Sequence, residues 1–218
     1  MNQTREPLID ILLSYGSQRE GIVTLGPAGT SSEAAARHLS GLLSAHNGCE
    51  TVISLYDDYE RAGDALRREE GTLLLVANAY AAISQFYMDP ELSLAGAFVF
   101  DTPQYGLAAR PGAKLTDRVR VASHPAPVPL IEQLIGPGVT VSGVTHTNST
   151  SAAAATASRG EVDLALTTAP AAAAHGLTFV TRTRDIRMLW SVFTSRKRAL
   201  QTAGADTVAV PGAVPLAG

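Results

Sequence analysis

Along most of this chain the hydrophobic pattern alternates between short, wholly apolar runs and helical stripes. Residues 21–25 form an apolar, β-branched run that ends at Gly26-Pro27, the pattern of a buried strand entering a turn. Ala35, Leu39, Leu42 and Leu43 then share one helical face. Thr30 and Glu33 stand ahead of them at capping-box spacing. Residues 51–55 read as a second strand, 57–68 as a helix with Tyr59, Ala62 and Leu66 on one side, and 72–77 as a strand covered on both faces. Residues 81–88 are helical in pattern.

Two strand-like runs, 97–100 and 104–110, flank Asp101-Thr102-Pro103, which marks a crossing into a second lobe. Alternation then resumes with strands at 119–122, 139–144 and 162–166 and helices at 128–134, 149–158 and 169–175. Residues 178–180 and 188–193 lead back to the first lobe. The order predicts an α/β fold with mainly parallel sheets. It divides the chain into an N-terminal extension (1–20), a domain (21–195) and a flexible tail (196–218) rich in Ala, Gly, Pro and Thr without period. Lobe 1 takes about 21–100 and 181–195, and lobe 2 about 101–180. Two α/β lobes joined by two crossings hold a small ligand in the cleft between them.

Composition narrows the partners. Hydrophobic residues make up 45% of the 218, an ordinary globular share. A formal net charge of -3, with no long basic run, gives no electrostatic reason to expect nucleic acid. No apolar stretch approaches the roughly 20 residues that span a bilayer. The apolar patch at 8–13 is interrupted by Asp10 and lacks a cleavage site, so it does not read as a signal peptide. The single Cys49 cannot form an internal disulfide, which suits a cytoplasmic location. Beside polar Asn47 and Glu50, its plainer reading is an inert thiol.

Three constellations could carry chemistry. Gly26-Pro-Ala-Gly29-Thr30-Ser31-Ser32-Glu33 is a strand–turn–helix junction, where unpaired N–H groups and the positive end of the helix dipole can receive an anion. An ordinary capped turn stays open as the alternative. Thr147-Asn148-Ser149-Thr150-Ser151 crowds polar side chains at the start of an Ala-rich helix, although one residue suffices for a cap. The surplus suggests a second anion site facing the first, against the alternative of a solvated cap. His124, in Ser123-His124-Pro125, ends a predicted parallel strand, where open α/β sheets bind ligands. His38, His46, His146 and His175 lack such a setting. No metal-ligand spacing or dinucleotide fingerprint is visible.

These residues resemble a known family. Gly26 to Thr30 with Glu33, Ser123-His124-Pro125, Ser149-Thr150 followed by Ala152 to Ala154, and the segment 163–177 with His175-Gly176-Leu177 resemble the prephenate dehydratase signatures in the same order. Two departures stand out. In Trp190-Ser191-Val192-Phe193, Ser191 and Val192 stand where the dehydratases have the Thr and Arg of the Thr-Arg-Phe triplet needed to expel the ring hydroxyl, with only the Phe kept, and Ala79-Tyr80 replaces a Glu-Asn pair. With these departures the chain looks like the prephenate decarboxylases of antibiotic pathways, the bacilysin-pathway type.

The resemblance implies a two-lobed domain of the prephenate dehydratase and periplasmic-binding-protein kind. It implies a carboxy-lyase that removes carbon dioxide from prephenate, keeps the hydroxyl and gives a dihydro-4-hydroxyphenylpyruvate. On this reading Ser191 and Val192 withhold the donors that would expel the hydroxyl. The substrate-binding candidates are Gly29, Thr30, Ser31, Ser32, Asn148, Ser149, Thr150, Ser151 and Ser191, with Arg110 or Arg187 adding positive charge suited to a carboxylate. His124, Tyr80 and Tyr105 are the candidate proton donors. No cofactor is expected, because the ring diene delocalises the charge. The expected partner is prephenate itself, with no membrane or nucleic acid, and a homodimer is left open. A dehydratase and a non-enzymatic small-molecule receptor stand as alternatives.

Overall fold

The computed structural model describes residues 20–48 and 50–205. The expectations for the first 19 residues, for Cys49 and for residues 206–218 lie outside them. Two five-stranded sheets face each other across a cleft. The first has the order β2-β1-β3-β10-β4 and the second β7-β6-β8-β5-β9. The first contains β1 (Glu20–Leu25), β2 (Thr51–Tyr56), β3 (Leu73–Ala77), β4 (Leu92–Asp101) and β10 (Arg187–Ser195). The second contains β5 (Tyr105–Ala109), β6 (Arg118–Ser123), β7 (Thr140–His146), β8 (Leu164–Thr168) and β9 (Thr178–Phe179).

Neither sheet is wholly parallel. β2, β1 and β3 run together, as do β7, β6 and β8, but β10 lies antiparallel between β3 and β4, and β5 lies antiparallel between β8 and β9. Parallel neighbours need a crossover of a dozen or more residues. β5 and β10 are instead the strands that receive the chain from the crossings, each entered without a preceding helix in its own sheet, and they run against their neighbours.

The helices follow from local signals. Helix α1 (Ser31–Asn47) starts at Thr30, whose side chain accepts the Glu33 amide, and ends at Gly48 in the left-handed region (φ 66°). Glu33 reaches back to the Gly29 amide at 2.7 Å, one residue earlier than the usual reciprocal cap. Its buried stripe, Ala35, Leu39 and Leu43, packs on Ile22, Leu75, Phe98 and Trp190. Helix α2 (Tyr59–Arg67) is capped by Asp58 and lies on the opposite side of the sheet with Val23, Leu74, Phe86 and Phe193. A short α3 (Ser84–Met88) follows β3.

In lobe 2, α4 (Leu130–Leu134), α5 (Thr150–Ser158) and α6 (Ala169–Ala174) cover the sheet. Helix α5 presents Ala153, Ala154 and Ala157 to Ala108, Ala122 and Ala165, so small side chains let the helix sit close to its sheet. Residues 196–205 differ from the expected tail: they form a helix, α7 (Arg196–Ala205). No apolar stripe announces it. Charge anchors it instead, through Arg198 to the fully buried Glu20 carboxylate and through Lys197 to Glu69 at 3.2 Å.

Candidate active site

The cleft encloses about 710 Å³, part of it open to solvent. Lobe 1 supplies its apolar floor: Leu25, Ala77 and Ala79 from the ends of β1 and β3, and Ile186, Met188 and Trp190 from β10 and the residue before it. The Trp190 indole N–H donates to the Phe100 carbonyl at 3.3 Å, so the ring offers the cleft an apolar face. Polar groups gather at two helix starts and at the end of β6.

At the start of α1 the hydroxyls are already engaged. Ser31 Oγ shares a hydrogen bond with Tyr105 of the other lobe at 2.9 Å. Ser32 Oγ pairs with Tyr59 at 2.7 Å, and the Tyr59 oxygen also accepts the Ala77 amide at 3.2 Å. Burial pushes Tyr59 up to about 12 and also raises Tyr105, so both phenols stay protonated at neutral pH. A helix start leaves its first amides without intrahelical partners. Thr30 takes that of Glu33, and those of Ser31 and Ser32 remain for a ligand.

The start of α5 differs. Ser149 caps it by accepting the Ala152 amide at 3.0 Å. Thr150, 94% buried (6% exposed), lines the cleft; its carbonyl accepts the Thr167 hydroxyl at 2.8 Å, and its own hydroxyl makes no hydrogen bond among the described residues. The Thr150 and Ser151 amides are likewise left by the helix geometry. Asn148 stands at the cleft mouth with Asp58, Glu60 and His146.

His124 closes β6 at the boundary of cleft and mouth. Its Nδ1 accepts the Ala126 amide at 3.3 Å, which puts the proton of the neutral ring on Nε2. Burial, and then the neighbouring His146, lower its pKa. Tyr80 lines the same boundary, its hydroxyl donating to Glu60. The arrangement suits a small anionic molecule with an apolar middle: two sets of helix-start amides, the open Thr150 hydroxyl, a neutral imidazole and an apolar floor.

No family model matches the chain. A protein named prephenate decarboxylase from Bacillus subtilis is 40% identical over 176 residues, spanning 79% of this chain and 85% of that protein. One of the same name from Planktothrix agardhii is 37% identical over 174 residues, spanning 78% and 85%. The chain belongs to the prephenate decarboxylase family. Among solved structures, prephenate dehydratase from Arthrobacter aurescens in complex with L-Phe matches with a TM-score of 0.60 at 19% identity, over 91% of this chain and 63% of that one. A periplasmic substrate-binding protein of an ABC transporter from Coxiella burnetii matches at 0.52 and 17%, over 85% and 91%. These two establish the two-lobed α/β fold.

Within this prephenate decarboxylase family member, several residues expected at the site lie elsewhere. Arg110 donates to the Ala157 carbonyl at the far end of α5 and packs against Gly160. Arg187 is exposed and faces Asp101 at 3.6 Å. Ser191 is buried behind the floor, bonded to Asn78 and Tyr87 at 2.7 Å each. Ser151 turns away to His175 Nε2 at 3.2 Å. Gly29 gives its amide to Glu33 and its carbonyl to the Thr168 hydroxyl at 2.7 Å. Strand parity explains the misplaced β10 residues: Ile186, Met188 and Trp190 face the cleft, so Arg187 and Ser191 face away. Val192 is core, so the departures expected at Ser191 and Val192 lie behind the cleft wall. Among the described residues that line the cleft there is no Lys or Arg. Positive potential comes from the helix starts, each contributing about 0.3–1 kcal/mol toward an anion and up to ~2 where partly buried.

Thr30, Ser31, Ser32, Ser149, Thr150, His124, Tyr80 and Tyr105 do line the cleft. Sequence reasoning missed Tyr59, Met188 and Trp190. The even-numbered row of the last strand held the signal for two of them. Nothing local signals the pairing of Tyr59 with Ser32.

Proposed function

We propose that this chain decarboxylates prephenate and leaves the ring hydroxyl in place, giving a dihydro-4-hydroxyphenylpyruvate for antibiotic or related secondary-metabolite biosynthesis. Prephenate is a dianion with a pyruvyl carboxylate, a ring carboxylate and, across the ring, a hydroxyl. The observation that carries the reading is the separation of donors from the floor. The pyruvyl carboxylate fits the amides of Ser31, Ser32 and Thr150 and the Thr150 hydroxyl. The ring carboxylate rests against Leu25, Met188 and Trp190, which offer its charge no partner.

The bond from the ring to the carboxylate breaks, carbon dioxide leaves, and the electron pair spreads into the diene. One proton then adds to a ring carbon, and the monoanionic product keeps its C–O bond. Dehydration consumes the same single proton, but places it on the hydroxyl oxygen and releases water. The outcome is therefore set by where one proton lands. His124 supplies it to carbon: a bound dianion favours the imidazolium that burial disfavours in the empty cleft. Spreading charge is easier to accommodate on an apolar floor than a localised carboxylate, so the site favours the transition state over the bound substrate.

Incubation with prephenate, followed by mass and proton spectra, tests the reading. Carbon dioxide and a product with the hydroxyl oxygen are expected; phenylpyruvate as the main enzyme-dependent product overturns it. Because the ring diene takes up the electrons, turnover is expected to survive exhaustive chelation and dialysis. Loss of activity restored by a divalent ion would contradict that expectation.

A further inference from the structure

Tyr80 stands where the cleft meets its mouth, its ring 4.9 Å from that of Tyr59 between centroids. It comes from the turn after β3, and Glu60 comes from the first turn of α2. The Tyr80 hydroxyl donates to Glu60 Oε1, the same oxygen that accepts Gln85 Nε2–H at 2.8 Å. A neutral phenol has one proton. Burial works to raise the pKa of Glu60, but the hydrogen bonds from Tyr80 and Gln85 hold it below the ordinary carboxylate range. The acceptor is thus a charge, and a charge-assisted bond of this kind is roughly twice as strong as a neutral one. The proton is held on the Glu60 side, and the phenol oxygen has lone pairs left for the cleft. Tyr59 and Tyr105 differ, because their partners are serine hydroxyls that can donate as well as accept.

We infer, on the reading that the hydroxyl is retained, that Tyr80 receives the ring hydroxyl of the substrate as an acceptor, and that Glu60 is the positioning residue that keeps this contact from donating. The hydroxyl gives a hydrogen bond and gains no proton. Its C–O bond stays whole while carbon dioxide leaves and the ring carbon is protonated. Were the phenol proton free to turn inward, it would land on the hydroxyl oxygen, the C–O bond would break, and water and the aromatic product would form.

The readout is the ratio of phenylpyruvate to hydroxylated product at saturating prephenate, corrected for spontaneous aromatisation. Glu60→Ala frees the Tyr80 proton and is expected to raise that ratio at least ~10-fold, part of the ~10²–10⁴ that a positioned acid contributes. Glu60→Asp keeps the charge and brings the ratio back toward wild type. Tyr80→Phe removes both donor and acceptor, raises KM several-fold and leaves the ratio low. Glu60 lies on an exposed helix start. Should the alanine variant still be unstable, Glu60→Gln removes the charge with the shape kept and is expected to give an intermediate rise. An unchanged ratio in active Glu60→Ala and Glu60→Gln enzymes overturns the inference, as does a rise in Tyr80→Phe equal to that in Glu60→Ala. A wild-type enzyme that makes mainly phenylpyruvate overturns the proposed function first, and this inference with it.

Discussion

The two helix starts that meet in the cleft are close to interchangeable in sequence, Thr-Ser-Ser at 30–32 and Ser-Thr-Ser at 149–151, yet the fold uses them differently. At α1 a tyrosine from elsewhere in the chain has claimed each of the two serine hydroxyls. At α5 the Thr150 hydroxyl remains open, and Ser151 is drawn back into lobe 2 by His175. Similar residues at similar caps thus yield one start that offers a ligand its amides and another that offers amides and a hydroxyl. The difference lies in what the rest of the chain brings: Tyr59 and Tyr105 to the α1 hydroxyls, and only His175, to Ser151, at α5.

The largest test of that difference is Thr150→Val. Removing the open hydroxyl takes away a hydrogen bond to a charged group, worth about 1.5–3 kcal/mol. Prephenate affinity should fall about 10- to 150-fold, read by titration, with little change in melting temperature. An unchanged affinity would erase the distinction between the two starts. Ser32→Ala should behave in the opposite way. Its hydroxyl serves Tyr59, so about 1 kcal/mol of stability is at stake, a drop of about 2–4 °C for a chain of this size. Affinity should stay within about threefold, following the modest net value of a neutral hydrogen bond. A loss as large as that of Thr150→Val would show that both starts bind alike.

The smallest effect concerns His124, beside the open start. Its folded pKa lies below the ordinary 6.5, first through burial and then through His146. The folded state therefore binds this proton less readily than the unfolded chain. The stability so gained is present above about pH 6.5 and is lost as pH falls through the folded value. His124→Gln should flatten the stability curve in that window, as measured by urea titration at several pH values. An identical slope would mean that the imidazole is as free to protonate in the fold as outside it.

Much of the scaffold was legible because it rests on local rules. The caps at Thr30 and Ser149, the stripe of Ala35, Leu39 and Leu43, and the apolar strand 73–77 are each determined by neighbours a few residues away. The site was legible only in part. His124, Thr150 and the α1 turn could be found because strand ends and surplus capping groups are local signals. The expectation that an anion needs an arginine misled, since it overlooked the direction of each side chain: Arg187 falls on the odd row of β10, and Arg110 spans back to α5. Helix α7 escaped because its anchor is a partly buried ion pair formed between residues 178 positions apart, which no periodicity records. Bonds such as Tyr105 to Ser31 belong to the same class: they arise when distant segments meet, and their partners carry no mark of it beforehand.

Gly29 appeared earlier as a residue that gives its polar atoms to Glu33 and Thr168. Its missing side chain has a further consequence. A Cβ there would come within 3.1 Å of the Ala171 backbone nitrogen and Cα in the opposite lobe, and the φ of +88° is one that L side chains rarely adopt. Backbone lies against backbone at this seam, with no side chain to yield between them. The gap between the lobes is therefore gauged from one side, by the thickness of two main chains, in the way a binding fixes how far the pages of a book can stand apart at the spine. Any methyl group added at position 29 would act as a shim, and the whole cleft, from the Tyr105 contact to its floor, would be cut to a wider measure.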